Sequence, residues 1–124
     1  MNLETAFSID TSSIKYGAGV TREAGYEMRR LGAARVMVVT DPGLSDSGAV
    51  GVVLQALRAE GIDTVLYDRV RVEPTDVSFK EAAAFATDGD FDGFVAVGGG
   101  SSMDTAKAAN LYSTHPADFL TYVN

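Results

Sequence analysis

Two apolar runs, Val36-Met37-Val38-Val39 and Phe94-Val95-Ala96-Val97, constrain this chain more than any other feature. A strand with one face in water alternates apolar and polar side chains, because successive residues point to opposite faces. These runs do not alternate, so each predicts a strand covered on both faces. Val65-Leu66-Tyr67 is a shorter third. Such strands belong to parallel sheets held between two helical layers. The stretches between the runs have helical spacing. Val50, Val53, Leu54 and Leu57 fall at i, i+3, i+4 and i+7, with Gly61 placed as a C-cap. Phe79, Ala82, Ala83 and Ala86 repeat the pattern before Gly89, and Ala24, Met28 and Leu31 give a thinner version ending near Gly32. A further helix is expected over residues 102–113. The alternation predicts an α/β fold, a doubly wound (Rossmann-like) parallel sheet. Ile14-Lys15-Tyr16-Gly17 is expected as an edge strand or hairpin, and residues 119–123 as a helical turn. No repeat or linker interrupts the 124 residues, so one domain over 1–124 is expected. Three strands leave a sheet edge in need of cover, from a partner subunit or from further chain.

Composition narrows the partners. Ten Lys and Arg stand against 17 Asp and Glu, a net charge of −7. That sign predicts no nucleic acid and no anionic membrane as partner, since both demand a basic surface. Any anion must then be held by local backbone donors. The lack of cysteine rules out disulfides, thiol catalysis and thiolate metal sites, and His115 is the one histidine. No apolar run approaches the ~20 residues of a bilayer span. Residues 1–8 lack the basic and apolar blocks of a secretion signal. A soluble, cytoplasmic domain is expected.

The chemical signal is Gly98-Gly99-Gly100-Ser101-Ser102-Met103-Asp104, directly after the strand ending at Val97. Ligands of open α/β sheets bind beyond the carboxyl ends of the strands. Glycines there let the backbone approach a ligand closely, and the following helix aims free N–H groups and a positive dipole end at it. The arrangement suits a phosphate or pyrophosphate. It departs from G-x-G-x-x-G at Met103 and lacks the Gly-Lys-Ser/Thr of a P-loop. Asp41, closing the first strand, would face the same crevice, accept a ribose 2′-hydroxyl and repel a 2′-phosphate, which favours NAD over NADP. Asp118 is rejected for that role because Pro116-Ala117-Asp118 ends no strand. Plainer roles stand beside these. Ser101 and Asp104 fit a capping box, Asp41-Pro42-Gly43 a turn, and Thr75 with Asp76 an N-cap. His115 and Lys107 read as surface residues.

Val97-Gly98-Gly99-Gly100-Ser101-Ser102-Met103-Asp104-Thr105-Ala106-Lys107 resembles the nucleotide-binding signature of the iron-containing (group III) alcohol dehydrogenase family. Tyr16-Gly17-Ala18-Gly19-Val20 and Val39-Thr40-Asp41 are similar to its early turn and its first nucleotide-contacting strand end. Val70-Arg71-Val72-Glu73-Pro74-Thr75-Asp76 and Ala108-Ala109-Asn110-Leu111-Tyr112 look most like its hydroxyacid-oxoacid transhydrogenase branch. The resemblance implies an NAD(P)-dependent oxidoreductase with an N-terminal nucleotide domain and a C-terminal helical domain holding a divalent metal, Fe or Zn. It implies cofactor contacts at Asp41, Gly98, Gly99, Gly100, Ser101 and Asp104. Glu73 stands where many relatives have asparagine, so no adenosine contact is carried over there. No catalytic residue or metal ligand of the family matches this chain, which looks like the first third of such an enzyme and is expected to be inactive alone. The implied reaction moves hydride between a nicotinamide and a small alcohol or 2-hydroxy acid, the small-molecule substrate. In the transhydrogenase form, 4-hydroxybutyrate is oxidised while 2-oxoglutarate is reduced. A homo-oligomer is expected. An NAD-using lyase of the dehydroquinate-synthase kind and a non-catalytic nucleotide-binding module are the alternatives.

Overall fold

A computed structural model of the chain, describing residues 12–117, sets the three apolar runs side by side in one parallel sheet. A short 3-10 turn, Val20–Glu23, leads into α1 (Ala24–Arg30). Then come β1 (Arg35–Val39), α2 (Gly48–Ala59), β2 (Asp63–Tyr67), α3 (Asp76–Gly89), β3 (Gly93–Ala96) and α4 (Gly100–Thr114). The strand order is β2-β1-β3, with Val36 of β1 level with Thr64 on one side and Gly93 on the other. The doubly wound α/β expectation is met.

The absence of alternation in β1 is explained by its two covered faces. Val36, Met37, Val38 and Val39 are all 0% exposed. Val36 and Val38 pack with Val53, Leu57 and Ile62, under the layer of α1 and α2. Met37 and Val39 pack with Ala82, Ala86, Phe91, Ala106 and Ala109, under α3 and α4. Burying each such aliphatic side chain contributes about 1.5–3 kcal/mol, so this strand anchors both cores.

Helix α2 stops at Gly61 as its spacing predicts. Gly61 is left-handed (φ +76°) and donates to Arg58 O, while Ile62 donates to Leu57 O, which closes the helix end. Helix α3 differs from expectation. It includes Gly89 and ends on left-handed Asp90, because Gly89 serves Phe91: a Cβ there would lie 2.2 Å from the ring. The segment expected as an edge strand forms none. Its Lys15 ammonium instead pairs with Glu23 and Glu27 of the neighbouring turn and helix, at 3.3 and 2.8 Å. Residues 119–123 lie outside the described residues.

The amino ends of the strands are stitched together by side chains. The Asp92 carboxylate accepts from the N–H groups of Arg35, at 2.8 Å, and Ala34, at 3.0 Å. Arg35 in turn donates to Gly89 O at 2.7 Å, lies over the Phe91 ring and pairs with Asp63. The backbone N–H of Arg35, then that of Ala34, hold the Asp92 carboxyl below its usual range.

Two outcomes follow from this packing. A Cβ on Gly25 of α1 would meet the Ala56 carbonyl oxygen of α2 at 2.0 Å. Gly25→Ala should therefore lower stability by about 1–3 kcal/mol, read as a shift in urea midpoint at constant m-value. Asp92→Asn should cost about 1 kcal/mol at neutral pH, a charge-assisted bond discounted for solvent exposure. Because the folded state lowers this carboxyl's pKa, its contribution is present above the unfolded value and lost as pH falls through the folded one. The gap in thermal midpoint between wild type and Asp92→Asn should thus close in acid and persist at pH 7.

Candidate functional site

The chain leaves β1 for β2 on one side and returns from β2 to β3 on the other, so the direction of winding reverses between β1 and β3. The crevice beyond the carboxyl ends at such a point is where open α/β sheets bind ligands. Two loops border it here: the one after β1, carrying Asp41, and the one after β3, carrying the glycines.

Thr40 joins these loops to the sheet. It is wholly buried; its hydroxyl donates to Val97 O at 2.8 Å and its N–H to Tyr67 O at 2.9 Å. Val97 N–H returns a bond to Val39 O at 2.9 Å. The next residue, half-buried Asp41, folds its own loop, with Oδ1 accepting from Leu44 N–H at 3.1 Å. That turn sends the Leu44 side chain across the crevice, where a Cβ on Gly98 would come within 3.3 Å of Leu44 Cδ1. Asp41 thus serves the turn expected of it: one carboxylate oxygen shapes the loop, and the other accepts no hydrogen bond among the described residues.

On the facing loop, Gly98 has φ +143°, a conformation that a side chain rarely adopts. A Cβ there would also strike Ser102 Oγ at 2.9 Å, so only glycine fits this bend. Gly98, Gly99 and Gly100 are all exposed. Helix α4 starts at Gly100, two residues before the predicted start, with Gly99 as its N-cap and no side chain capping it. The capping box expected of Ser101 and Asp104 is not formed. The cap falls on Gly99, so Ser101 becomes the second helical residue and Asp104 the fifth, too far along to serve the end. The backbone N–H groups at the helix head therefore face the crevice with no side-chain acceptor, a ready anion cradle.

Asp41, Gly98, Gly99, Gly100 and Ser101 thus gather at the crevice. Asp104 lies a turn along α4, exposed. Thr75 caps α3 as expected, and His115 is exposed at the C-cap of α4. Sequence reasoning missed three residues of the site: Thr40, Leu44 and Ser102. A polar residue ending a fully apolar strand was the available signal for Thr40; Ser102 lay inside the glycine-rich motif with nothing to single it out, and Leu44 carries no signal. The glycine bend, which a Cβ would fill, and the uncapped helix head both fit a dinucleotide's diphosphate. A metal finds no such fit. Among the described residues no three His, Cys, Asp or Glu side chains converge, and no step is assigned to a metal on this chain. Also among the described residues, no helix is long and apolar enough to cross a membrane.

Comparison with known proteins extends this geometry. Residues 11–124 match the family described as iron-containing alcohol dehydrogenase. The chain is 54% identical over 120 residues to the mitochondrial hydroxyacid-oxoacid transhydrogenase of Bos taurus, and 52% identical to that of Homo sapiens. Each match covers 96% of this chain and 26% of the relative, so the chain spans about a quarter of the length of these proteins. Among solved structures, NADH-dependent butanol dehydrogenase A of Thermotoga maritima superposes with a TM-score of 0.85 at 25% identity, over 95% of this chain and 30% of that one. Both transhydrogenases are mitochondrial by name, which overturns the expectation of a cytoplasmic protein. That expectation rested on the lack of a secretion signal, a test blind to delivery into an organelle. The signature residues sit on the crevice that the fold creates, and the family match runs through nearly all of the sequence; the chain belongs to the iron-containing alcohol dehydrogenase family.

Proposed function

We propose that this chain is the dinucleotide-binding part of a longer oxidoreductase that moves hydride between a nicotinamide and a small alcohol or 2-hydroxy acid. The observation carrying this reading is the uncapped head of α4 behind Gly98, at the reversal point of the sheet. The 54% identity to a hydroxyacid-oxoacid transhydrogenase supports that branch, with the exchange of hydride between a hydroxy acid and an oxo acid as the reaction. The same relatives support a mitochondrial location.

In this reading the residues divide the cofactor between them. Backbone N–H groups of the first helical turn, Gly100 and Ser101 among them, receive the diphosphate where Gly99 turns the chain toward it, and the helix dipole adds about 0.3–1 kcal/mol, more when water is excluded. Gly98 keeps the approach clear of a side chain. Asp41 offers its free oxygen to the adenosine ribose hydroxyls and repels a 2′-phosphate, so NAD is the cofactor rather than NADP. Asp104 belongs to the cofactor site by the motif it completes, and its exposed carboxylate must stay clear of the diphosphate. Thr40 and Leu44 hold the two loops at a fixed spacing. A nicotinamide held here would supply the hydride acceptor or donor, and a divalent metal, Fe or Zn, would have to be held by residues other than those described. No catalytic acid or base is assigned to this chain, which by itself is expected to bind nucleotide without turnover. Association of identical copies is part of the proposal, since β2 and β3 are both open edges among the described residues.

Two binding measurements on the intact protein test the reading. Asp41→Ala should weaken NAD by about tenfold, the loss of a charge-assisted hydrogen bond, and leave NADP unchanged or tighter; an equal loss for both removes Asp41 from the ribose. Gly98→Ala should abolish measurable NADH binding in a fluorescence titration and cost about 1–2 kcal/mol of stability, from the forced φ and the clash with Ser102. Full NADH affinity in that variant would place the diphosphate elsewhere.

A further inference from the structure

Two helix heads among the described residues have a serine at the third helical position, and they differ in one respect. In α3, Ser78 Oγ accepts from the Thr75 N–H and donates to Thr75 O, both at 2.9 Å, while the Thr75 hydroxyl accepts from the Ser78 N–H at 3.1 Å. The ring is closed and Ser78 is buried. In α4 the corresponding serine, Ser102, is just as buried, at 1% exposed, yet its Oγ has no hydrogen-bond partner among the described residues. Its N–H meets no capping side chain either, because the cap is Gly99. Buried hydroxyls are normally bonded, and leaving one unbonded is costly.

The missing half of this ring has the chemistry of an anion. Where α3 carries the Thr75 hydroxyl, α4 offers an open acceptor position facing the Ser102 N–H. The other half, a donor to Ser102 Oγ, falls to the Gly99 N–H, the counterpart of the Thr75 N–H. Gly99 and Thr75 are both extended, with φ −91°, ψ −160° and φ −109°, ψ 167° respectively. Ser102 Oγ already lies against the bend, 2.9 Å from where a Gly98 Cβ would stand. Gly98, at φ +143°, sits in the region where glycine turns freely.

We propose that Ser102 is a positioning residue whose hydroxyl couples the glycine turn to a bound diphosphate. A phosphate oxygen takes the capping position toward the Ser102 N–H. The turn then rotates until the Gly99 N–H reaches Ser102 Oγ, and the two-bond ring seen in α3 is completed by the ligand. The hydroxyl that is unbonded without ligand becomes bonded with it, and the difference favours the bound state. This rests on the dinucleotide reading of the crevice.

The test compares the intact protein with Ser102→Ala and Ser102→Thr, reading NADH affinity by nicotinamide fluorescence and thermal midpoint without ligand. Ser102→Ala should bind NADH about 3–10-fold more weakly, the worth of one hydrogen bond, with an unliganded midpoint equal to or above wild type. Ser102→Thr, which keeps the hydroxyl, should bind within about twofold of wild type. Wild-type affinity in Ser102→Ala overturns the proposal. So does a lowered unliganded midpoint in that variant, which marks a merely structural hydroxyl, and so does a Ser102→Thr variant as weak as alanine. Failure of the wild-type protein to bind NADH overturns the dinucleotide reading as well, whereas wild-type binding with an indifferent Ser102 overturns this proposal alone.

Discussion

Everything in this domain depends on removing β1 from water on all sides. A strand with both faces buried must have its backbone polar groups paired with protein, because an unpaired buried amide costs as much as a hydrogen bond lost. The β2 and β3 ladders supply that pairing along the strand. At the carboxyl end the ladder runs out, and Thr40 continues it with side chain and backbone together. The site is a by-product of this demand. Closing the polar account of the central strand draws the loops after β1 and β3 to the same place.

The two helices packed against one face of that strand begin in opposite ways. Helix α3 is sealed by Thr75 and Ser78; α4 begins on glycines and is left open. A sealed head stabilises the chain by itself, whereas an open one transfers part of that stabilisation to whatever anion arrives. The negative net charge sharpens the contrast. With no net positive field to draw in an anion from a distance, any anion at this head would be held by a few backbone donors at close range.

The sheet and helices were legible because burial leaves a pattern in consecutive residues, although full cover of both faces holds for β1 alone and the runs in β2 and β3, at the sheet edges, are largely half-buried. Val36 to Val39 announce β1, and Leu57 followed by Gly61 announces where α2 ends. The glycine turn and Asp41 were legible for a related reason: each sits next to a strand end and belongs to a local motif. What stayed hidden depends on contacts across the chain. Leu44 matters because Asp41 turns it toward Gly98, and Ser102 because the bend at Gly98 covers it. The start of α4 was misjudged because glycine reads as loop, while here the helix begins on glycines with no side chain at its cap. Lys15 misled in another way: a short mixed segment reads as a strand, but its charge finds two glutamates before its backbone finds an edge. The subcellular expectation failed for want of any physical signal within these residues.

The seam between β1 and β3 is fastened at both extremities by side chains, Asp92 at one and Thr40 at the other. Hinging along that seam would have to break a fastening, so the roots of the two loops move together while the glycine turn beyond Val97 keeps its own freedom. A change of loop length at either root would therefore re-aim the other, so what one loop touches cannot be tuned mechanically apart from what its neighbour touches.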